Sequence, residues 1–154
     1  MMKYQNKYRI DSNRLAGFNY SESYWYFITV CTWNKQNYFS HILRSTSVLT
    51  AYGDILEEEI NNTVKLKKAD IDMYVIMPNH FHMIIIPESG SHLGIIVGQI
   101  KSLTSKRIMK FNNNFRWQSN YYDHIIRNEE DLFRIRKYIE LNPFKWELDE
   151  YYNK

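Results

Sequence analysis

"DIDMYVIMPNHFHMIIIP", Asp70 to Pro87, is the stretch on which the fold turns. Two runs rich in β-branched and large apolar side chains, "DIDMYVIM" and "FHMIIIP", flank a "PNH" in which Pro78 and Asn79 supply turn chemistry, so two short strands are expected. The second run has the look of a buried strand, because it is almost continuously apolar instead of alternating. It nevertheless opens with two imidazoles, His80 and His82, one residue apart.

Outward from this pair, "SYWYFITVCTW" (Ser23 to Trp33) is aromatic and β-branched and reads as a first strand. After a loop, "NKQNYFSH", the segment "SVLTAYGDILEEEINNTVKL" places Val48, Leu49, Tyr52, Ile55, Leu56, Ile60 and Val64 at helical spacing, with Ser47 as the expected N-cap. "GIIVGQIKSLTSKRIMKF" reads as a second helix and "YYDHIIR" as a fourth strand. "NEEDLFRIRKYIELNP" reads as a third helix, opened by Asn128 with acidic residues behind it and closed by Asn142 before Pro143. The order β, α, β, β, α, β, α is that of an α+β, ferredoxin-like antiparallel sheet (βαββαβ) with an additional C-terminal helix. No repeat or linker divides residues 1–154, so one domain is expected, with residues 1–21 as an N-terminal arm.

Composition narrows the class. A chain of 154 residues that is 44% hydrophobic can bury a core, and its single cysteine, Cys31, excludes an internal disulfide and a multi-thiolate metal site. No apolar run approaches the roughly 20 residues of a membrane span, so a cytoplasmic protein without a membrane partner is expected. The net charge of +3 announces no nucleic-acid partner, but its distribution is suggestive. Cations gather at Lys101, Lys106, Arg107 and Lys110, in the arm at Arg9 and Arg14, and in the last helix at Arg134, Arg136 and Lys137. Each run alone fits a solvated helix face. Three of them beside abundant aromatics make a phosphate backbone a fair ligand.

Side chains alternate across a strand, so His80 and His82 project from one face and both can reach one metal ion. Two ligands do not close a site, and the residues alone leave two readings open: a metal pair, or a turn histidine beside a hydrogen-bonded, half-buried one. About sixty residues further on, Tyr138 and Asn142 stand one helical turn apart with Arg134 one turn earlier. By spacing alone that row is also an ordinary packing stripe before a helix terminator.

Together the two constellations resemble a known family. "MPNHFHMII" resembles the HUH motif (His, bulky hydrophobe, His) of IS200/IS605-type single-tyrosine transposases, and "YIELNP" resembles their catalytic tyrosine helix. "YRIDSNRLAGFNYSESYWYFITVCTWNKQNYF", "IVGQIKSLTSKRI" and "WQSNYYDHIIRNEEDLFRIRKYIELNPFKW" are similar to the REP-associated branch, and the likeness runs from about Tyr8 to Trp146. Phe144 departs from the smaller aliphatic that many relatives carry after Asn-Pro.

The resemblance implies that His80, His82 and Asn142 ligate Mg²⁺ or Mn²⁺ and that Tyr138 is the nucleophile. It also implies that the substrate is single-stranded DNA carrying hairpins. Attack by the phenol would leave a 5′-phosphotyrosine and a free 3′-hydroxyl, with no need for ATP. Lys101, Lys106, Arg107, Lys110, Arg9, Arg14 and Arg134 are the expected backbone contacts, and Tyr4, Tyr8, Trp117 or Gln118 would read unpaired bases. His124 is a weak candidate for general base, a structural role being the stronger reading. Relatives include monomers with the site in cis and homodimers that complete it in trans. Two rivals stand beside this reading: a domesticated, catalytically inactive nucleic-acid-binding module, and a metal-dependent hydrolase in which the His pair activates water.

Overall fold

The structure is a computed structural model that describes residues 24–153. The expected N-terminal arm, with Arg9, Arg14, Tyr4 and Tyr8, lies outside the described residues. The element order is β1 (Tyr26–Cys31), β2 (Ser40–Leu43), β3 (Thr46–Leu49), α1 (Ala51–Lys65), β4 (Ala69–Ile76), β5 (His80–Pro87), α2 (Leu93–Ile108), β6 (Tyr122–Ile125) and α3 (Glu129–Leu141). Four strands form an antiparallel sheet in the order β4-β5-β1-β6. With β2 and β3 set aside, this is the 2-3-1-4 order of a ferredoxin-like α+β fold.

β1 and β5 are central, and every residue of both strands is buried, which explains their continuous apolar character. Tyr26, Ile28 and Val30 of β1, with Phe81, Met83 and Ile85 of β5, pack under Leu56 and Ile60 of α1 and Ile96, Val97 and Ile100 of α2. The alternate residues point the other way: Trp25 and Phe27, with Ile84 and Ile86, pack under Leu132, Ile135 and Ile139 of α3. At about 1.5–3 kcal/mol for each large apolar side chain removed from water, the two layers hold the sheet between them. Among the described α-helices, α3 alone packs on this second face of the sheet, the face toward which His80 and His82 point.

α3 is fastened to both edges of the sheet. At its N-terminus Asn128 Oδ1 accepts from Asp131 N at 2.8 Å, and the Asp131 carboxylate accepts from His124 Nε2 of β6 at 2.8 Å and from Arg127 N at 3.0 Å. On the opposite edge the pairing of β4 with β5 slips between Ile71 and Met73. There Asp72 accepts from Arg136 Nε at 2.9 Å and Nη2 at 2.7 Å.

Residues 40–49 differ from the sequence-based expectation of a loop followed by a helix beginning at Ser47. They form the β2–β3 hairpin, whose turn puts Arg44 (φ 50°) and Ser45 (φ 63°) in the left-handed region. That conformation suits a two-residue hairpin turn but normally announces itself with Asn or Gly, which this segment lacks. Ser47 is thus a strand residue whose hydroxyl donates to the Ile76 carbonyl. The cap of α1 is Thr50, whose Oγ1 accepts from Gly53 N at 3.1 Å. Val48 is largely exposed, and Leu49 packs on the core from the strand.

Candidate active site

The β4–β5 turn is tight: Met77 N donates to His80 O at 2.8 Å across Pro78 and Asn79. It delivers two imidazoles to the α3 face, where they are buried almost completely. Their Nε2 atoms approach to 3.1 Å. The outer nitrogens are fixed from behind. Asn79 commits its Nδ2 to two backbone carbonyls, Tyr151 O at 2.7 Å and Lys35 O at 3.3 Å, so its Oδ1, 2.7 Å from His80 Nδ1, acts as acceptor. His80 therefore carries its proton on Nδ1 and turns a lone pair inward from Nε2. His82 Nδ1 lies 2.7 Å from Thr29 Oγ1 of β1, which can accept its proton in the same way.

Burial depresses the pKa of both rings, His82 to about 3, and the neighbouring His82 depresses His80 further. Neutral imidazole is the form that binds metal. A carboxylate oxygen of Asp149 joins the two ring nitrogens, all three lying within 4.8 Å of one another. Asn142 adds an amide whose Oδ1 is buried with no hydrogen-bond partner among the described residues, while its Nδ2 donates to Asp149 Oδ2 at 3.3 Å. An unpartnered buried oxygen beside two inward lone pairs and a carboxylate is a donor set suited to a moderately hard divalent ion.

α3 sets Tyr138 against this cluster. Its ring meets that of His82 edge-on, with centroids 5.1 Å apart and planes at 67°, and that of Phe27 at 6.0 Å. One chain therefore brings the tyrosine to its own His pair. Burial, then the charge of Asp149, raises the phenol pKa, so Tyr138 keeps its proton at neutral pH. Two grooves meet here. Lys137, Leu141, Lys145 and Asp149 line one; Phe27, Tyr122, His124 and Ile135 line the other; Arg134 and Tyr138 line both.

The family model described as "Transposase IS200 like" matches residues 20–142. The chain belongs to the IS200-like transposase family. An uncharacterized protein of Haemophilus influenzae is 34% identical over 92% of both chains. The REP-associated tyrosine transposase of Escherichia coli K12 is 28% identical over 78% of this chain and 70% of its own. Among solved structures, the REP-associated tyrosine transposase bound to a REP hairpin superposes with a TM-score of 0.65 at 23% identity, over 90% of this chain and 73% of that one. The REP-associated resemblance is thereby shown, and with it an enzyme of the transposase class. No helix among the described residues is long and apolar enough to cross a membrane.

In this IS200-like transposase the residues singled out in the sequence fall into two groups. His80, His82, Tyr138 and Asn142 converge, and Arg134 stands at the junction of the grooves while pairing with Asp131. The α2 cations lie over the other face of the sheet. Lys106 and Lys110 are exposed there, but Arg107 pairs with Glu58 and Glu59 of α1 at 2.8 Å each, and Lys101 donates to Gln118 O at 2.8 Å. Trp117 donates from its ring nitrogen to Lys101 O and packs on Phe39 and Phe81. His124 is bound to Asp131, the structural role.

Sequence reasoning missed Asp149, Tyr151 and the orienting roles of Asn79 and Thr29. Asp149 and Tyr151 come from a segment that folds back after α3, laying the Tyr151 ring 4.5 Å from that of His80. Nothing periodic marks that return. Asn79 stands next to His80 and could have been read as its partner, but turn chemistry accounted for it first.

Proposed function

We propose that the protein cuts and rejoins single-stranded DNA by transesterification through Tyr138. The phenolic oxygen attacks the scissile phosphorus, the bond from phosphorus to the 3′ oxygen breaks, and the phenol proton passes through water in the cleft to the departing 3′ oxygen. The products are a 5′-phosphotyrosine and a 3′-hydroxyl. Because one phosphodiester replaces another, a different 3′-hydroxyl can reverse the step and join strands. The observation that carries this reading is the edge-on contact of Tyr138 with His82, beside a second imidazole, an amide oxygen and a carboxylate.

Each protein group has a definable task. His80 and His82, with oxygens from Asn142 and Asp149, would hold Mg²⁺ or Mn²⁺, which when bound draws charge from the phosphate. Asn79 and Thr29 keep the imidazole lone pairs inward, and α3, clamped at both ends of its sheet contact, holds the phenol in register. Arg134, Lys137 and Lys145 offer positive charge to the strand along the grooves, with Lys106 and Lys110 on the other face for a longer substrate. The substrate we infer is single-stranded DNA bearing hairpins, a reading supported by the hairpin named with the structural relative.

The test is covalent trapping on labelled single-stranded DNA that contains the hairpins flanking the protein's own gene, with Mg²⁺ or Mn²⁺. An SDS-resistant adduct lost in both Tyr138→Phe and His80→Ala is expected. Cleavage without an adduct would replace this mechanism by water activation at the His pair. Hairpin binding with no cleavage would favour an inactive binding module.

A further inference from the structure

His82 on β5, Thr29 on β1 and Tyr122 on β6 are register partners, so they form one row across three adjacent strands. Two strand spacings, about 10 Å, separate the ends of that row. The row points to the α3 face, where His82 and Thr29 are buried. Tyr122, at the sheet edge, is 54% exposed, although Asp123 and Ile125 on the same strand are buried. Its ring meets the edge of Phe27 at 6.3 Å, and Phe27 in turn contacts Tyr138. Tyr122 thus forms the outer wall of the groove whose inner wall is the proposed nucleophile, with Arg134 beside both.

We propose that Tyr122 is a stacking platform for the unpaired base of the nucleotide adjoining the phosphate that Tyr138 attacks. The inference rests on the reading of Tyr138 as nucleophile. A strand whose phosphate sits at Tyr138 must put a neighbouring base into one of the two grooves. The Tyr122 groove offers an exposed aromatic ring backed by a second, whereas the other is lined, among the described residues, by no aromatic ring but Tyr138 itself and carries Lys137 and Lys145, which suit backbone phosphates. His124, the least exposed polar side chain lining the Tyr122 groove, has its Nε2 committed to Asp131. Recognition there is by stacking, which tolerates any base, and Arg134 faces the phosphate between the two grooves.

The experiment compares the unmodified protein with Tyr122→Ala and Tyr122→Phe in single-turnover adduct formation on the hairpin-bearing strand. Each protein is assayed on intact DNA and on DNA with an abasic site immediately 5′ or 3′ of the scissile phosphate. Tyr122→Ala is expected to slow adduct formation by about 5- to 150-fold, the range set by the loss of one base–aromatic stack. Tyr122→Phe should restore the rate, and an abasic site on one side should slow the unmodified protein as much while abolishing the difference from Tyr122→Ala. Equal rates for Tyr122→Ala and the unmodified protein, or a difference that survives both abasic sites, would overturn the proposal.

Equilibrium binding of the same oligonucleotides to Tyr138→Phe, with and without Tyr122→Ala, reads the stack without chemistry. Loss of adduct with a base-dependent Tyr122 effect on binding would overturn only the phosphotyrosine reading. No Tyr122 effect on binding would overturn the platform.

Discussion

Arg136 of α3 and Asp72 of β4 are joined by two parallel hydrogen bonds, 2.9 and 2.7 Å long, at the one place where the β4–β5 ladder slips register. The irregularity re-aims a carboxylate toward the helix that carries Tyr138. Arg136→Met should destabilise the fold by about 1–3 kcal/mol, since it strands a largely buried carboxylate. Arg136→Lys should recover only part, because an ammonium cannot match the two-pronged geometry. Urea unfolding of the three proteins decides this. Full recovery by lysine would show that the second hydrogen bond contributes nothing.

At the other end of the same helix, Asp131 sets a pH dependence. Burial by itself would raise its pKa, but the hydrogen bonds from His124 and from the Arg127 backbone, with the charge of Arg134 nearby, outweigh burial and hold it below the usual carboxylate range. The unfolded chain therefore takes up this proton first. The contribution to stability is complete above about pH 4, the ordinary carboxylate value, and is lost as the pH falls through the lower folded value. Asp131→Asn should be less stable at pH 7 and should show a shallower loss as the pH falls below about 4, read from urea midpoints. Parallel pH curves would rule Asp131 out as a source of acid sensitivity.

Gly53, in the first turn of α1, lies where an added Cβ would stand 2.1 Å from the Phe39 carbonyl oxygen, a backbone atom that also accepts from Thr50 N. Alanine is the better helix former by about 1 kcal/mol. Crowding should win, because α1 and the Phe39 backbone just before β2 must separate, at a cost of about 1–3 kcal/mol or more. Gly53→Ala is expected to lower the melting temperature. A rise would mean that the segment leading into β2 yields freely.

Thr29 tests the orientation of the metal pair without touching a ligand. Thr29→Val keeps the shape of the side chain and removes the oxygen 2.7 Å from His82 Nδ1. Loss of such an orienting partner typically weakens metal binding about 10- to 100-fold. Titration calorimetry with Mn²⁺ should show that drop with the fold retained by circular dichroism. Unchanged affinity would mean that packing alone orients His82.

Much of this molecule was legible in its sequence, for reasons that can be named. β1, β5, α2 and α3 carry their own signals: a continuous apolar run for strands covered on both faces, helical spacing with an Asn128 cap for α3. His80, His82 and Tyr138 were legible as a set through family resemblance, whereas spacing alone left each ambiguous. What stayed hidden depends on partners far along the chain. Arg107 and Arg136 looked like free positive charge until their glutamate and aspartate partners were in place. The β2–β3 hairpin turns on Arg44 and Ser45, residues with no turn signature. Asp149 is brought to His80 by backbone anchors, Tyr151 O to Asn79 and Glu150 O to Lys35, that leave no trace in local pattern.

The return of residues 149–151 onto the His pair has a consequence for how the protein is made. A ribosome releases the histidines some sixty residues before Tyr138, and Asp149 later still. Chains generally fold from the N-terminal side as they emerge. A nascent chain can therefore form its sheet, and its two imidazoles can settle against Thr29 and Asn79, while it still lacks the phenol and the carboxylate. Synthesis itself orders the assembly: the sheet with its two imidazoles comes first, the Tyr138 phenol next, and the Asp149 carboxylate after both.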